Sequence, residues 1–259
     1  MLKAVLFDLD QTLITWDNAE PWETYQGRRL RRVYDYVHTH LHPLTGGDGD
    51  TFFAEFARRL GQAWTEGNQT LRPPSVAAIL ADLIEAFGAP ADGVDMDAVM
   101  HAYDWQPAPG EAAFPDALEV LPELHAHGVE LGIVTNASLA MRYRDRELHA
   151  VGLLDLFPRC RVAAVDVGYL KPHRGIFERA LDVLGVGPDE TVFVGDNLEA
   201  DIRGAQNAGM KAVWRIPTSN GNGDKSAPAI TPDGAIATLH ELLPLLDSWY
   251  PGWRNGHTP

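Results

Sequence analysis

Near its start the chain reads Ala4-Val5-Leu6-Phe7 and then meets Asp8. An apolar run this short, rich in β-formers and closed by a charge, marks a strand buried on both faces, as in parallel sheets. Runs of the same kind recur at Val129–Val134, Arg161–Val165, Thr191–Val194 and Lys211–Trp214. Between them, apolar residues return at three-four spacing over Pro115–His127, Leu139–Val151, His173–Leu184 and Leu198–Ala208. A last helix is predicted over Ile236–Leu246, after a Gly/Asn/Ser/Pro-rich loop from Thr218 to Ala229. Strand and helix alternating through short connections imply βαβ units, hence an α/β protein with a Rossmann-like, doubly wound parallel sheet.

The alternation breaks once. The stretch between Asp8 and Phe114 reads helical over Trp22–His40, Asp50–Glu66, Ser75–Phe87 and Met96–Tyr103. Gly/Pro clusters at Pro43–Gly49, Arg72–Pro74, Gly88–Gly93 and Pro107–Gly110 separate these helices. The expected organisation is a catalytic core of residues 1–14 and 113–259, with a second, smaller, all-helical cap domain over 15–112.

Charge limits the partners. With 21 Lys and Arg against 36 Asp and Glu the net charge is −15, which disfavours phosphate backbones and anionic membrane surfaces. One cysteine, Cys160, cannot form an internal disulfide, and no apolar run reaches signal or spanning length, so a cytoplasmic protein is expected. Oligomeric state stays open.

Asp8 and Asp10 stand two apart at the carboxyl end of the first strand, where α/β sheets place their ligand crevice. Two carboxylates held together repel, and one must take a proton unless a cation sits between them. A hard divalent ion such as Mg²⁺ resolves that conflict. A solvated Asx turn at a strand end would carry the same pair.

The segment FDLDQTL (Phe7–Leu13) resembles the first motif of the haloacid dehalogenase superfamily of phosphohydrolases. Three more segments follow in that family's order, each after a predicted strand: Thr135-Asn136 closing GIVTN, Lys171 in GYLKPHRGIF, and Asp196 and Asp201 in VFVGDNLEAD. Singly, Thr135-Asn136 and Lys171 are weak, since Thr and Asn are routine helix caps and Lys is usually solvated, while GDxxxxD is moderately specific. Their joint order is specific. The resemblance implies that Asp8 is the nucleophile and Asp10 a general acid and base, that Thr135, Asn136 and Lys171 bind phosphoryl oxygens, and that Asp8, Asp10 (through its main-chain carbonyl) and Asp196 hold Mg²⁺. It implies that Asp201 acts behind them on Lys171 or a metal-bound water. An aspartate two residues after the nucleophile implies phosphoryl transfer, where dehalogenases carry tyrosine. Gln11 departs from the family's usual glycine. The function so implied is a Mg²⁺-dependent phosphatase acting on a small phosphorylated metabolite. The alternatives are a phosphomutase using the same residues, or a non-catalytic binding module of the same fold.

Specificity is expected to reside in the helical insert. Trp16, just behind the first motif, is the foremost candidate substrate contact. Arg28, Arg29, Arg31 and Arg32 either meet an anionic substrate or form a solvated helix face.

Overall fold

The computed structural model describes residues 1–90, 93–217 and 230–255, so the Thr218–Ala229 loop lies outside the described residues, as do positions 91 and 92 of the Gly88–Gly93 cluster. Strand β1 is Ala4–Phe7, and β2 (Ile14–Thr15) follows it closely. Helices α1 (Trp22–Tyr36, continued as a wide π-helical turn over Val37–Leu41), α2 (Gly49–Thr70), α3 (Val76–Ala86) and α4 (Met96–Tyr103) make the helical block. The chain then returns through β3 (Ala112–Ala113) to α5 (Pro115–Ala126), β4 (Glu130–Thr135), α6 (Met141–Ala150), β5 (Cys160–Ala163) and the short α7 (Ala164–Val167). It ends with α8 (Arg174–Leu184), β6 (Thr191–Gly195), α9 (Gly204–Asn207), β7 (Lys211–Arg215), β8 (Gly234–Ile236) and α10 (Leu242–Trp249).

Six strands form one sheet in the order β5-β4-β1-β6-β7-β8, and every pair is parallel. The all-apolar β1 is central because both its faces are covered. Val5 and Phe7 join the cluster containing Val120, Leu124 and Phe157, while Ala4 and Leu6 join the one containing Phe177 and Phe193. A third cluster, with Leu30, Phe52, Leu80, Leu83 and Tyr103, belongs to the helical block. The two chain crossings between sheet and block pair with each other: Ile14 lies opposite Ala113 and Thr15 opposite Ala112, antiparallel. Among the described residues no helix is long and apolar enough to cross a membrane.

Three expectations need correction. Ile236 does not start a helix: Gly234–Ile236 adds a sixth parallel strand beside β7, and the helix begins at Leu242. The run at Arg161–Val165 is strand only to Ala163, and Ala164 and Val165 turn into α7. Leu198–Ala208 is not uniform either, since its first six residues form a π-helical turn before α9.

Candidate active site

The β1 register sets Phe7 opposite Ile133 of β4 and Val194 of β6, so three neighbouring strands end together. The residues just beyond these ends are therefore brought to one place: Asp8 after β1, Asn136 after β4, Asp196 after β6. This is the crevice at the carboxyl edge of a parallel sheet, where loops rather than core packing decide side-chain placement.

Lys171 is the centre of the constellation. Its side chain is almost wholly buried, and its Nζ lies 2.6 Å from Asp8 Oδ1 and 2.7 Å from Asp201 Oδ1, and donates to the Val134 carbonyl at 2.8 Å. Burial works to lower the lysine pKa, but the charges of Asp201 and Asp8 outweigh it and keep the ammonium. Asn136 fixes this loop. Its Nδ2 donates to the Lys171 carbonyl at 3.1 Å, and Lys171 N donates to its Oδ1 at 2.7 Å. The Asn136 side chain, expected on a phosphoryl group, thus gives its oxygen and one of its two N–H groups to the lysine main chain.

One ammonium does not balance the acids around it. Carboxylate oxygens of Asp8, Asp196 and Asp201 lie within 4.8 Å of one another. Burial, reinforced by Asp201, Asp196 and Asp10 against the opposing pull of Lys171, pushes Asp8 up to about 8. Burial and then Asp201 push Asp196 up to about 6. Asp201 is held by the wide helical turn that follows β6: Asn197 N donates to its Oδ2 at 2.9 Å, while Asn197 Oδ1 caps Glu199 N and Ala200 N. A Cβ on Gly195 would stand 2.4 Å from that Oδ2, so the glycine is what lets the carboxylate approach. An oxygen-only cluster with surplus negative charge suits a hard divalent cation.

Asp10 faces away from that cluster. Arg144 of α6 grips both its oxygens, Nη1 to Oδ2 at 2.8 Å and Nη2 to Oδ1 at 2.9 Å, and Trp16 Nε1 donates to Oδ1 at 3.2 Å. Thr135 Oγ1 is 3.5 Å from Oδ2. Burial works to raise the Asp10 pKa, yet the Arg144 charge and hydrogen bonds, with Trp16, hold it below the usual carboxylate range. Arg144 is itself buried and its Nε donates to Glu147 Oε2 at 2.7 Å. Sequence reasoning missed Arg144. The signal was present, because Met141, Arg144 and Leu148 share the i, i+3, i+7 face that α6 buries.

A cavity of about 610 Å³ opens from Asp10, Asn136 and Arg144 toward the helical block, and Trp16 lines it. The arginines of α1 do not. Arg28 pairs with Glu20, Arg31 with Asp50 and Arg32 with Asp104, while Arg29 is buried on the carbonyls of Tyr103, Asp104 and Gln106. Arg28, Arg31 and Arg32 thus form the exposed, ion-paired helix face that is the alternative reading of the sequence, and Arg29 is buried away from the cavity.

The haloacid dehalogenase-like hydrolase family matches this chain over residues 2–209. The chain belongs to that family. It is 31% identical over 214 residues to a glyceraldehyde 3-phosphate phosphatase of Methanopyrus kandleri, covering 82% of this chain and 83% of the relative. It is also 31% identical over 258 residues to a ribulose-1,5-bisphosphate 5-phosphatase of Halopiger xanaduensis, covering 95% and 100%. Among solved structures, a 2-haloacid dehalogenase from Pseudomonas syringae pv. Tomato matches with a TM-score of 0.64 at 27% identity, over 96% of this chain and 100% of that one. As a haloacid dehalogenase-like protein this chain is a hydrolase, and its relatives include enzymes named for small phosphorylated substrates.

Proposed function

We propose that this protein is a Mg²⁺-dependent phosphatase that hydrolyses a small phosphorylated metabolite through an aspartyl-phosphate on Asp8. In this reading residues 1–14 and 113–259 are the catalytic core, and residues 15–112 are a helical cap over the strand ends. The observation that carries it is the Asp8 carboxylate at the end of β1, 2.6 Å from the buried Lys171 ammonium and facing Asp196 and Asp201. The phosphatase names of the relatives support it. So does an aspartate, rather than the tyrosine implied for dehalogenases, at position 10.

An oxygen of Asp8 attacks phosphorus in line, forming the acyl phosphate as the bond to the leaving oxygen breaks. Lys171 and Thr135 meet the charge on the equatorial oxygens, and Asn136 holds the lysine loop in place for that task. Asp10, ionised against Arg144, accepts the proton of the water that hydrolyses the acyl phosphate. Donating a proton to the leaving alcohol requires that ion pair to loosen first. Asp8, Asp196 and the main-chain carbonyl of Asp10 would hold the Mg²⁺, which supplies positive charge against the repulsion between carboxylate and phosphate. Asp201 keeps Lys171 charged and aimed. The buried, free Cys160 fits a reducing compartment such as the cytoplasm.

The test is phosphate release from a panel of phosphate esters with and without Mg²⁺, joined to borohydride trapping of an acyl phosphate at position 8. Asp8→Asn should lower turnover by several orders of magnitude and abolish trapping. Wild-type turnover in Asp8→Asn, or full activity in excess chelator, rules the mechanism out.

A further inference from the structure

The cavity beside Asp10 is walled by rings. Along α2, Phe53, Phe56, Leu60 and Trp64 recur at three-four spacing and line it, while Phe56 is also buried in the core of the helical block and Phe53 and Leu60 pack against that core. Trp16, Trp22 and Trp105 line it as well. Trp22 packs on Trp16 with ring centroids 5.8 Å apart and on Trp105 at 6.0 Å. Such edge-to-face and tilted contacts make a stiff aromatic wall, suited to a flat apolar group.

The charges of the cavity are equally selective. Arg144 is the only cation among its described lining residues, and it is spent on Asp10 and Glu147. The acids Asp10 and Glu23 line it as well. A second phosphoryl or carboxylate group would be desolvated beside these acids with no counter-ion. A polyol would find few partners on a wall of rings: of the two lining amides, Asn136 gives its oxygen and one N–H to Lys171, and Gln26 Oε1 accepts from Tyr103.

We infer that the substrate is a monoester with a single phosphoryl group on an apolar aromatic alcohol. The inference rests on the phosphatase reading and names its substrate class. It departs from the polar compounds for which the two relatives are named, because this cavity offers rings where those substrates present hydroxyls and charge. The core residues grip the phosphoryl group, and the aromatic walls take the leaving group.

The test compares esters of alcohols matched in acidity, so that leaving-group chemistry does not decide the outcome: 2-(2-naphthyl)ethyl phosphate, ethyl phosphate, glycerol 3-phosphate and propane-1,3-diol bisphosphate. The naphthylethyl ester should exceed ethyl phosphate in kcat/KM by about ten-fold or more, chiefly through KM, and the glycerol ester and bisphosphate should not. Gly61, on the same face of α2, has open space around a built Cβ, so Gly61→Leu grows into the cavity without a clash. It should cut the naphthylethyl-to-ethyl ratio by about ten-fold, with thermal stability unchanged or higher because leucine is the better helix former. A preference for the glycerol ester or the bisphosphate, or a ratio untouched by Gly61→Leu, overturns the inference. Binding of 2-(2-naphthyl)ethanol, followed by quenching of tryptophan fluorescence, needs no turnover. If that alcohol binds, Gly61→Leu weakens it and no ester is hydrolysed, the phosphatase reading fails while the pocket assignment stands. If esters are hydrolysed and the alcohol does not bind, the pocket assignment fails alone.

Discussion

Gln11 sits at φ +63°, in the left-handed region that a side chain enters at a cost of roughly 1–2 kcal/mol. It follows Asp10 directly, so the turn that re-aims the chain after the two aspartates stores strain beside the site. Gln11→Gly removes the strain but returns freedom to the unfolded chain. The net expectation is a gain of up to about 1 kcal/mol, read as a higher Tm with turnover preserved. A lower Tm would mean that the Gln11 side chain stabilises the turn by more than its backbone costs. Arg144 permits a second test. A lysine there keeps a positive charge near Glu147 but cannot grip both oxygens of Asp10. Arg144→Lys should raise the Asp10 pKa, moving the acidic limb of the kcat profile to higher pH for a substrate whose turnover is limited by acyl-phosphate hydrolysis, since the base in that step must be ionised. An unmoved limb would separate Asp10 from that limb.

At the scale of elements, much of this molecule was legible because fully buried strands and single-face helices write different patterns. Ala4–Phe7 and Met96–Tyr103 match their expected bounds, and the helical stretch after Asp8 was visible as an interruption of the strand rhythm. Gly234–Ile236 escaped because three residues with a glycine carry no measurable period, and its pairing to β7 is a tertiary fact. Likewise the strand ends predicted where Asp8, Asn136 and Asp196 would meet, but the Arg144 clamp joins a helix to a loop 134 residues away in sequence and needs the fold to be seen. The β2–β3 ribbon holds another such feature. Glu111, just before β3, accepts from Ala108 N at 2.9 Å through Oε2, while its buried Oε1 and that of Glu147 find no conventional partner among the described residues. Burial, then the Glu147 charge and hydrogen bond, pushes Glu111 up to about 9, so Glu111 keeps its proton at neutral pH. A raised folded pKa stabilises at low pH, and that contribution is lost as pH rises from the unfolded value through about 9. Glu111→Gln keeps a donor toward Glu147 without the titration. Its Tm advantage over the wild type should grow between pH 5 and pH 9, roughly the interval separating the ordinary and raised values. A difference constant with pH would show that Glu111 does not hold that proton.

The whole molecule carries a charge of −15, and its densest buried share lies at one spot, where three carboxylates face the single ammonium of Lys171. An acidic protein concentrates cations around itself and thins out anions, so the global field favours loading this site with a divalent ion while opposing a phosphorylated substrate. The local response is protonation: with Asp8 pushed up to about 8 and Asp196 to about 6, the metal-free site holds a proton at neutral pH in place of a second cation. A divalent ion binds the deprotonated oxygens and must expel that proton. Calorimetric titration of the protein with Mg²⁺ at pH 7, in buffers of differing ionisation enthalpy, should therefore report release of about one proton per ion bound. Release should shrink toward zero as pH passes above about 8, where Asp8 is already ionised, and apparent affinity should rise over the same interval. Added salt should weaken binding by screening the surface share of the field, with little effect on the proton count, which is set by the buried cluster. A heat of binding independent of buffer at pH 7 would mean that the three aspartates are ionised without a metal, and that something other than a shared proton offsets their repulsion.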